Sequence, residues 1–220
     1  MQRSTLWSLA AFVAAALSWQ AAPASPRPTV EAAHPATAAV PPAVRKLAQQ
    51  VLDSGDHRKQ PFAIVDKQAA VIVVYRGDGT LAGASSVLLG QSVGDESVPG
   101  VGERAQRRSL RDGDRTTAAG RFASEPGRTM AGDAVVWIDY GNALSIHRLR
   151  RGPSWERRAQ GLASTSPQEK RLSDGCVVVH EAFYESVVQP VLGQGRGVVY
   201  VMPETTPLQQ WQPLLGQRDL

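Results

Sequence analysis

The pattern of apolar and polar residues changes its period near residue 61. Before this point, apolar residues at 44, 47, 48, 51 and 52 recur at helical spacing behind Pro42, and Gly55 provides a stop signal. After it, short runs rich in β-branched residues are separated by glycine-containing turns, which is typical of β-strands. The pattern therefore predicts a short helix with its connection over 43–60, followed by a mainly β domain over 61–204.

The β domain is predicted to contain short strands that fold back on one another, with a few short helices. The expected strands cover 62–66, 70–75, 81–89, 134–140, 144–149 and 198–202. Gly141-Asn142, between two of these strands, is a strong hairpin signal. A short helix is expected after residue 180, because apolar residues recur on one face as far as Pro190. The stretch 90–114 is long and polar, and such loops usually border a functional site or are mobile.

The two ends of the chain have compositions unlike that of a folded domain. Residues 1–24 combine Arg3, an apolar run and a small-residue site ending at Ala24, which predicts a cleaved secretory signal peptide; an uncleaved anchor is the alternative. Residues 25–42 are rich in Ala, Pro and Thr and are expected to form a disordered linker. No later segment has the roughly 20 apolar residues of a membrane helix, so no transmembrane segment is expected after signal cleavage. Residues 205–220 form a C-terminal tail without an assigned role.

Composition agrees with one globular domain. With 42% hydrophobic residues and a net charge of +4 in 220 residues, the chain is long enough to bury a core and only mildly basic. The arginines form two groups, most simply interpreted as solvated loops: Arg104, Arg107, Arg108, Arg111 and Arg115, then Arg148, Arg150, Arg151, Arg157 and Arg158. Aromatic residues are not interleaved with them, so nucleic acid is not an expected partner.

The chain has a single cysteine, Cys176, within the sequence RLSDGCVVVH. In an oxidising compartment an unpaired thiol is a reactive group, half of an intermolecular bridge or an inert buried residue, and composition alone does not choose among these. Gly175 permits an unusual backbone conformation before the thiol, and the valines after it predict a strand. A nucleophilic thiolate needs a base or a positive neighbour, and the N–H groups of Gly175 and Cys176 could bind an oxyanion. A nucleophile of this kind is expected to be accessible, with a lowered pKa.

The segment around Cys176 resembles the active-site signature of the L,D-transpeptidase (YkuD-type) family, in which a histidine on an upstream strand precedes Ser/Thr-x-Gly-Cys and a hydrophobic residue. Other segments similar to the family are IVDKQAAVIVVYRGDGTL, DRTTAAGRF, SIHRL, AFYESVVQPVL and GVVYVMPE. The chain departs from the family at Val178, where the family has Asn or Arg, and at Asp174, where His or Tyr is frequent. The resemblance covers 61–204 and implies an L,D-transpeptidase-like β-sandwich catalytic domain.

The resemblance implies that Cys176 is the nucleophile and that His147, in SIHRL, is its base. His180 is the weaker candidate for the base. Gly175 and Ser173 are expected to support the oxyanion site. The long interval between histidine and cysteine is expected to form a flap, whose arginines could hold the carboxylates of a wall peptide. The expected substrate-binding residues are Arg171, Arg148 and Val178.

The function implied by the resemblance is that of an exported cysteine acyltransferase in the periplasm or cell envelope. It would act on peptidoglycan stem peptides through a thioester and so contribute to cell wall biogenesis and cell shape. The acceptor remains open among a peptide amine, a protein lysine and water. Two alternatives also remain: a non-catalytic cell-wall-binding module of the same fold, and an L,D-carboxypeptidase-type cysteine hydrolase. Cys and His are too few for zinc and no phosphate-binding loop is present, so no metal or cofactor is expected.

Overall fold

The computed structural model describes residues 38–208 and 210–211, and its packed part begins before the predicted helix. The expected signal peptide 1–24 lies outside the described residues, as does the expected linker as far as residue 37. Ala38 and Val40, near the end of the stretch 25–42 expected to be a linker, are partly buried and pack against buried apolar side chains. Helix α1 (Pro42–Ser54) starts with a proline and ends at Gly55, whose φ of 67° is the left-handed conformation common at helix ends.

Nine strands form one sheet in the described part of the chain. They are β1 (Phe62–Asp66), β2 (Val71–Tyr75), β3 (Leu81–Gly90), β4 (Gly120–Arg128), β5 (Ala134–Asp139), β6 (Leu144–Arg148), β7 (Arg171–Ser173), β8 (Val177–Val179) and β9 (Gly197–Met202). The order is β2-β1-β9-β4-β5-β6-β8-β3-β7, and β2 also pairs with β3, so the sheet closes on itself. The pairs β1–β9, β6–β8 and β3–β7 are parallel and the others are antiparallel. The predicted fold class, mainly β and sandwich-like with a few short helices, is confirmed.

Short helices connect and cover the strands. They are α2 (Val101–Gln106), α3 (Trp155–Ala163), a 3₁₀ turn (Gln168–Lys170), α4 (Glu181–Phe183), a π-helical turn (Tyr184–Val188) and α5 (Gln189–Val191). The last three follow one another directly, where the sequence predicts a single helix. Within the described residues, none of the helices has the length and apolar character needed to cross a membrane.

Side chains alternate between the inner and outer faces of the closed sheet. The inner face encloses the main core, whose members include Ala63, Val136, Ile146, Val177 and Val199. On the outer face, α1 covers a second cluster that contains Phe62 and Tyr200. The outer face therefore carries packed apolar side chains as well as the candidate site.

Helix α3 covers a third cluster, also on the outer face, beside β8. The buried members of this cluster are Leu88, Leu149, Leu162 and Val178. Trp155, the first residue of α3, packs against them. The interval expected to form a flap therefore contains a packed helix.

A buried cluster of charges fixes the long segment between β3 and β4. Lys67 is 1% exposed, and its ammonium nitrogen lies 2.8 Å from Asp95 Oδ1 and 3.4 Å from Glu204 Oε1. It also donates to the Thr117 carbonyl at 2.8 Å, and Arg171 forms an ion pair with Glu204. Burial would raise the pKa of Asp95, but the hydrogen bond from Lys67 holds it well below its usual range. Two cations and two carboxylates thus compensate one another, where a single buried charge would be costly.

The first residues of the expected tail are attached to this cluster. The carboxylate of Asp95 accepts hydrogen bonds from the backbone N–H groups of Glu204, Thr205 and Thr206. Trp211 packs against the cluster beneath α1. The packed part of the domain therefore continues past the expected boundary at residue 204.

Replacing Leu162 by alanine is expected to lower the free energy of unfolding by about 2–5 kcal/mol, because it leaves a cavity beneath α3. The measurement is urea unfolding followed by tryptophan fluorescence. Leu81→Ala is the matched control, since Leu81 is 50% exposed whereas Leu162 is 2% exposed. The control should change stability by less than about 0.5 kcal/mol. Equal losses in the two variants would contradict the packed position of α3.

Candidate active site

The turn between β7 and β8 positions Cys176 through hydrogen bonds made by Ser173. The Ser173 hydroxyl donates to the Cys176 carbonyl at 2.6 Å and accepts the Gly175 N–H at 3.2 Å. Gly175 has a φ of 120°, which residues with side chains rarely adopt. The Gly175 N–H, expected to bind an oxyanion, is thus already bonded within the turn. The Cys176 N–H is the remaining donor of the two that the sequence indicated.

Thr117 links this turn to the rest of the sheet. Its fully buried hydroxyl donates to the Gly175 carbonyl at 2.7 Å and accepts the Gly90 N–H at 2.8 Å. Gly90 must lack a side chain here, because an added Cβ would collide with the Arg115 carbonyl. The sequence analysis did not select Thr117, and its only signal is its place in the DRTTAAGRF segment.

Cys176 is a half-buried residue, and its sulfur has two polar neighbours. The thiol donates to the Ala143 carbonyl at 3.4 Å, and the Ser145 hydroxyl oxygen lies 3.5 Å from the sulfur. Burial raises the pKa of Cys176, while hydrogen bonds from Ser145 and the charge of Arg150 oppose this shift. The lowered pKa expected from the sequence is therefore wrong for the resting site, in which the thiol keeps its proton.

Cys176, Ser145 and His147 lie on the same outer face of the sheet. Strands β6 and β8 run parallel, with Ile146 beside Val177. Both of these residues belong to the main core, so their neighbours along each strand point outward. The alternation along β6 predicted that Ser145 and His147 share a face, and the pairing with β8 adds the thiol to that face.

His147 is 9% exposed, and one hydrogen bond sets its orientation. Its Nδ1 lies 2.8 Å from the Arg148 carbonyl oxygen. Because a carbonyl oxygen only accepts, Nδ1 carries the proton in this hydrogen-bond network and Nε2 is left as the basic nitrogen. Burial lowers the pKa of His147 to about 4, so the ring is neutral at neutral pH. In the resting geometry the Cys176 thiol bonds Ala143 rather than this histidine.

Two arginines bring positive charge to the site. Burial is the largest influence on the pKa of Cys176 and on that of His147, and the charge of Arg150 is a smaller one. This charge favours the thiolate of Cys176 and disfavours the protonated form of His147. Arg158, on α3, is half-buried; burial lowers its pKa, and the charges of Asp174 and Cys176 oppose this. The sequence analysis assigned both arginines to a solvated loop. Arg150 follows β6 directly, whereas Arg158 is brought to the site by the packing of α3 beside β8.

Arg171 and Arg148, which were expected to bind substrate, have partners within the protein. Arg171 forms an ion pair with Glu204 in the buried charge cluster, and its side chain is 16% exposed. Arg148 lies at the end of β6 and pairs with Glu181 and Glu185 at 3.3 Å each. These ion pairs correct the expectation that either guanidinium is free for a ligand.

Val178, expected beside the thiol in the binding site, is a packing residue. It is fully buried beneath α3, where it belongs to the same apolar cluster as Leu162 of that helix. A polar side chain there would lose its hydrogen bonds to water without gaining a partner, which explains the apolar residue at this position.

His180, the second candidate for the base, precedes α4. Its pKa is lowered mainly by burial and further by the charge of Lys170. Lys170 itself bonds the Leu162 carbonyl at 3.1 Å, on the α3 side of the molecule.

Cys176 and His147 are the residues of this site whose side chains could ligate a metal. In residues 38–208 and 210–211, no three His, Cys, Asp or Glu side chains are grouped as metal ligands would be.

Comparisons with known proteins return structures but no sequence families. No family model matches the chain, and the search of curated proteins gives no match. Among solved structures, the L,D-transpeptidase from Xylanimonas cellulosilytica aligns at 19% identity and a TM-score of 0.40, over 74% of this chain and 71% of that one. An L,D-transpeptidase from Mycobacterium smegmatis aligns at 14% identity and a TM-score of 0.36, over 65% of this chain and 58% of that one.

The helical cell shape determining protein Pgp2 from Campylobacter jejuni is also similar. It aligns at 13% identity and a TM-score of 0.42, over 72% of this chain and 55% of that one, so this chain spans about half of its length. L,D-transpeptidases are thus among the solved structures that the chain resembles, as the motif around Cys176 predicted.

Alkylation of the folded protein by iodoacetamide is expected to titrate with a midpoint above that of a free thiol, because burial raises the pKa of Cys176. A free thiol titrates near about 8.5. The measurement is the labelling rate as a function of pH, with Cys176→Ala as the blank and denatured wild type as the reference. A midpoint below that of the denatured protein would mean that a neighbouring cation activates the resting thiol.

The wild-type protein is expected to lose stability as the pH falls from 6.5 to about 4. In this window the unfolded His147 binds a proton, whereas burial keeps the folded residue neutral, so the free energy of unfolding rises with pH. His147→Gln should reduce this slope, and His180, whose pKa is also lowered, should account for part of what remains. Urea unfolding at several pH values within the window measures the slope. An unchanged slope in the variant would show that the folded histidine is protonated normally.

Proposed function

We propose that this protein is an exported cysteine acyltransferase of the L,D-transpeptidase type, which acts on peptidoglycan stem peptides in the periplasm or cell envelope. The observation that supports the proposal is the outer face on which the Cys176 thiol, the Ser145 hydroxyl and the buried neutral His147 lie together. A nucleophile, a base with a free nitrogen and nearby positive charge are the groups that acyl transfer from an anionic peptide requires.

In the acylation step, the thiol proton passes from Cys176 Sγ to His147 Nε2 as the sulfur attacks a carbonyl carbon. The attacked amide joins the third residue of the peptide to a terminal D-alanine. The oxyanion that forms would accept a hydrogen bond from the Cys176 N–H. When this intermediate collapses, the C–N bond breaks and His147 returns the proton to the nitrogen of the leaving D-alanine. A thioester remains on Cys176.

In the second step, an acceptor amine attacks the thioester carbon and releases its proton to His147. The new amide forms as the C–S bond breaks, and the proton passes to the sulfur, which restores the thiol. A resting pair of protonated thiol and neutral imidazole suits this cycle, because the proton moves only when a substrate is bound. With water as the acceptor, the same groups would give a carboxypeptidase.

One observation favours a second candidate, a non-catalytic cell-wall-binding module. The thiol bonds Ala143 and keeps a raised pKa, and the Gly175 N–H is already used within the turn. A protein selected only to hold a wall peptide would have no need of an activated thiol. Whether a covalent intermediate forms on Cys176 distinguishes the two candidates.

Incubation with a purified wall tetrapeptide is expected to release D-alanine, with a cross-linked or exchanged peptide as the second product. Cys176→Ala should abolish release, and His147→Gln should slow it by roughly 10²–10⁴-fold, because a positioned base contributes about that much. Mass spectrometry of peptide products and of the intact protein after exposure to a carbapenem gives the two readouts.

His180→Gln is the matched control, because it changes a half-buried histidine of lowered pKa that lies outside the site. It should retain the wild-type rate within a few-fold. Release of D-alanine without a second peptide product would assign the hydrolase instead. Absence of both D-alanine and a carbapenem adduct on the wild type would favour the binding module.

A further inference from the structure

Arg158 lies on the face of α3 that packs against β8. Trp155, three residues earlier, and Leu162, four residues later, both belong to the apolar cluster that contains Val178. Residues at these spacings share one face of a helix, so Arg158 is turned toward β8 with them. It is half-buried, whereas its neighbour in the chain, Arg157, is exposed.

The strands beneath this face of α3 carry the candidate nucleophile and base. Val178 pairs with His147 across β8 and β6, and Cys176 lies two residues before Val178 on the same side of the sheet. Two residues of a strand span only about 7 Å, so the helix that covers Val178 is a neighbour of the thiol as well. Electrostatics agrees with this placement, because burial and then the charges of Arg150 and Arg158 lower the pKa of His147.

Among the residues that the structure describes, the Arg158 guanidinium has no hydrogen-bond or ion-pair partner. Its Nε is buried without an acceptor, and its two terminal nitrogens also lack acceptors but are not buried. Burial lowers the pKa of Arg158 and the charge of Asp174 opposes this, yet Asp174 itself is bonded to Arg115 at 2.9 Å. Arg150 differs in this respect, since it pairs with Asp133 at 3.3 Å.

A half-buried charge without a counterion is costly, and within residues 38–208 and 210–211 no ion pair offsets that of Arg158. The thiol of Cys176 and the imidazole of His147 are both neutral in the resting site. The anion that Arg158 fits must therefore arrive with a ligand. A carboxylate suits it, because the two terminal nitrogens of a guanidinium can donate two parallel hydrogen bonds to a carboxylate.

One carboxylate of the proposed substrate is close to the attacked amide by covalent structure alone. Where the attacked amide joins the last residue to the rest of the peptide, the C–N, N–Cα and Cα–C bonds connect the attacked carbon to the terminal carboxylate carbon. Three such bonds keep these two carbons within about 4 Å of each other. A peptide whose carbonyl carbon contacts the Cys176 sulfur therefore brings its terminal carboxylate into the neighbourhood of Arg158.

We propose that Arg158 binds the terminal carboxylate of the donor peptide, on the residue that leaves when Cys176 attacks. This ion pair holds the attacked amide beside the thiol and makes a free C-terminus a requirement of the site. A peptide that is amidated at its end, or extended by a further residue, has no carboxylate at that distance. The assignment deepens the proposed function and rests on it for the identity of the peptide.

The test is calorimetry on Cys176→Ala protein, in which no turnover can occur, with two probes: a wall tetrapeptide and the same peptide amidated at its C-terminus alone. This parent protein should bind the free peptide at least about tenfold more tightly, as expected for charge-assisted hydrogen bonds. Arg158→Met in the same background keeps an apolar stem but loses the charge. It should bind both probes with the affinity that the parent has for the amide. Arg157→Met, at the exposed neighbouring position of α3, is the matched control and should keep the preference of the parent.

A thermal unfolding midpoint for each variant confirms that it is folded, and Arg158→Lys, which keeps the charge but not the paired donors, should show an intermediate preference. Equal affinity of the parent for the two probes would overturn the proposal, as would an undiminished preference in Arg158→Met. If Arg158→Met weakened the binding of both probes alike, the proposal would also be wrong, because the guanidinium would then bind another carboxylate of the peptide. Because binding is measured without the nucleophile, a failure to release D-alanine would contradict the proposed function and leave this result unaffected.

Discussion

The position of the candidate nucleophile depends on one buried ammonium group, that of Lys67. It joins the Thr117 carbonyl to the carboxylates of Asp95 and Glu204, which come from two other parts of the chain. Removal of a charge from water is costly, so Lys67 can be buried only where these acceptors meet it. Thr117, fixed in this way, holds the carbonyl of Gly175, the residue before the thiol. A charge cluster that takes no part in the proposed chemistry therefore sets the turn that presents the nucleophile.

Helix α3 accounts for the apolar side chain of Val178, two positions after the thiol, where the L,D-transpeptidase signature has Asn or Arg. The helix covers Val178 with Leu162, so this part of the outer face is a small core. The same helix brings Arg158 close enough to interact with the charge of Cys176. The packing of α3 therefore accounts both for the apolar Val178 on β8 and for the cation of Arg158 near the thiol.

Burial acts on the two reactive groups in opposite directions and leaves both of them neutral. It raises the pKa of Cys176 and lowers that of His147, because each charged form loses hydration. Arg150 disfavours protonation of the histidine while favouring the thiolate, so it does not stabilise a resting ion pair. The electrostatics therefore suit a site that transfers its proton only when a substrate changes the surroundings.

The sequence by itself determined the elements whose signals are local. The spacing of apolar residues gave helix α1 and most strands, and alternation along β6 gave the face on which His147 lies. Tertiary structure decided which polar groups remain free, because ion pairs join residues far apart in the chain. Arg171 has the motif-adjacent position expected of a ligand-binding residue, yet its partner Glu204 is 33 positions away. Likewise, the direction of the thiol pKa of Cys176 follows from burial by strands and helices that no local pattern around the cysteine encodes.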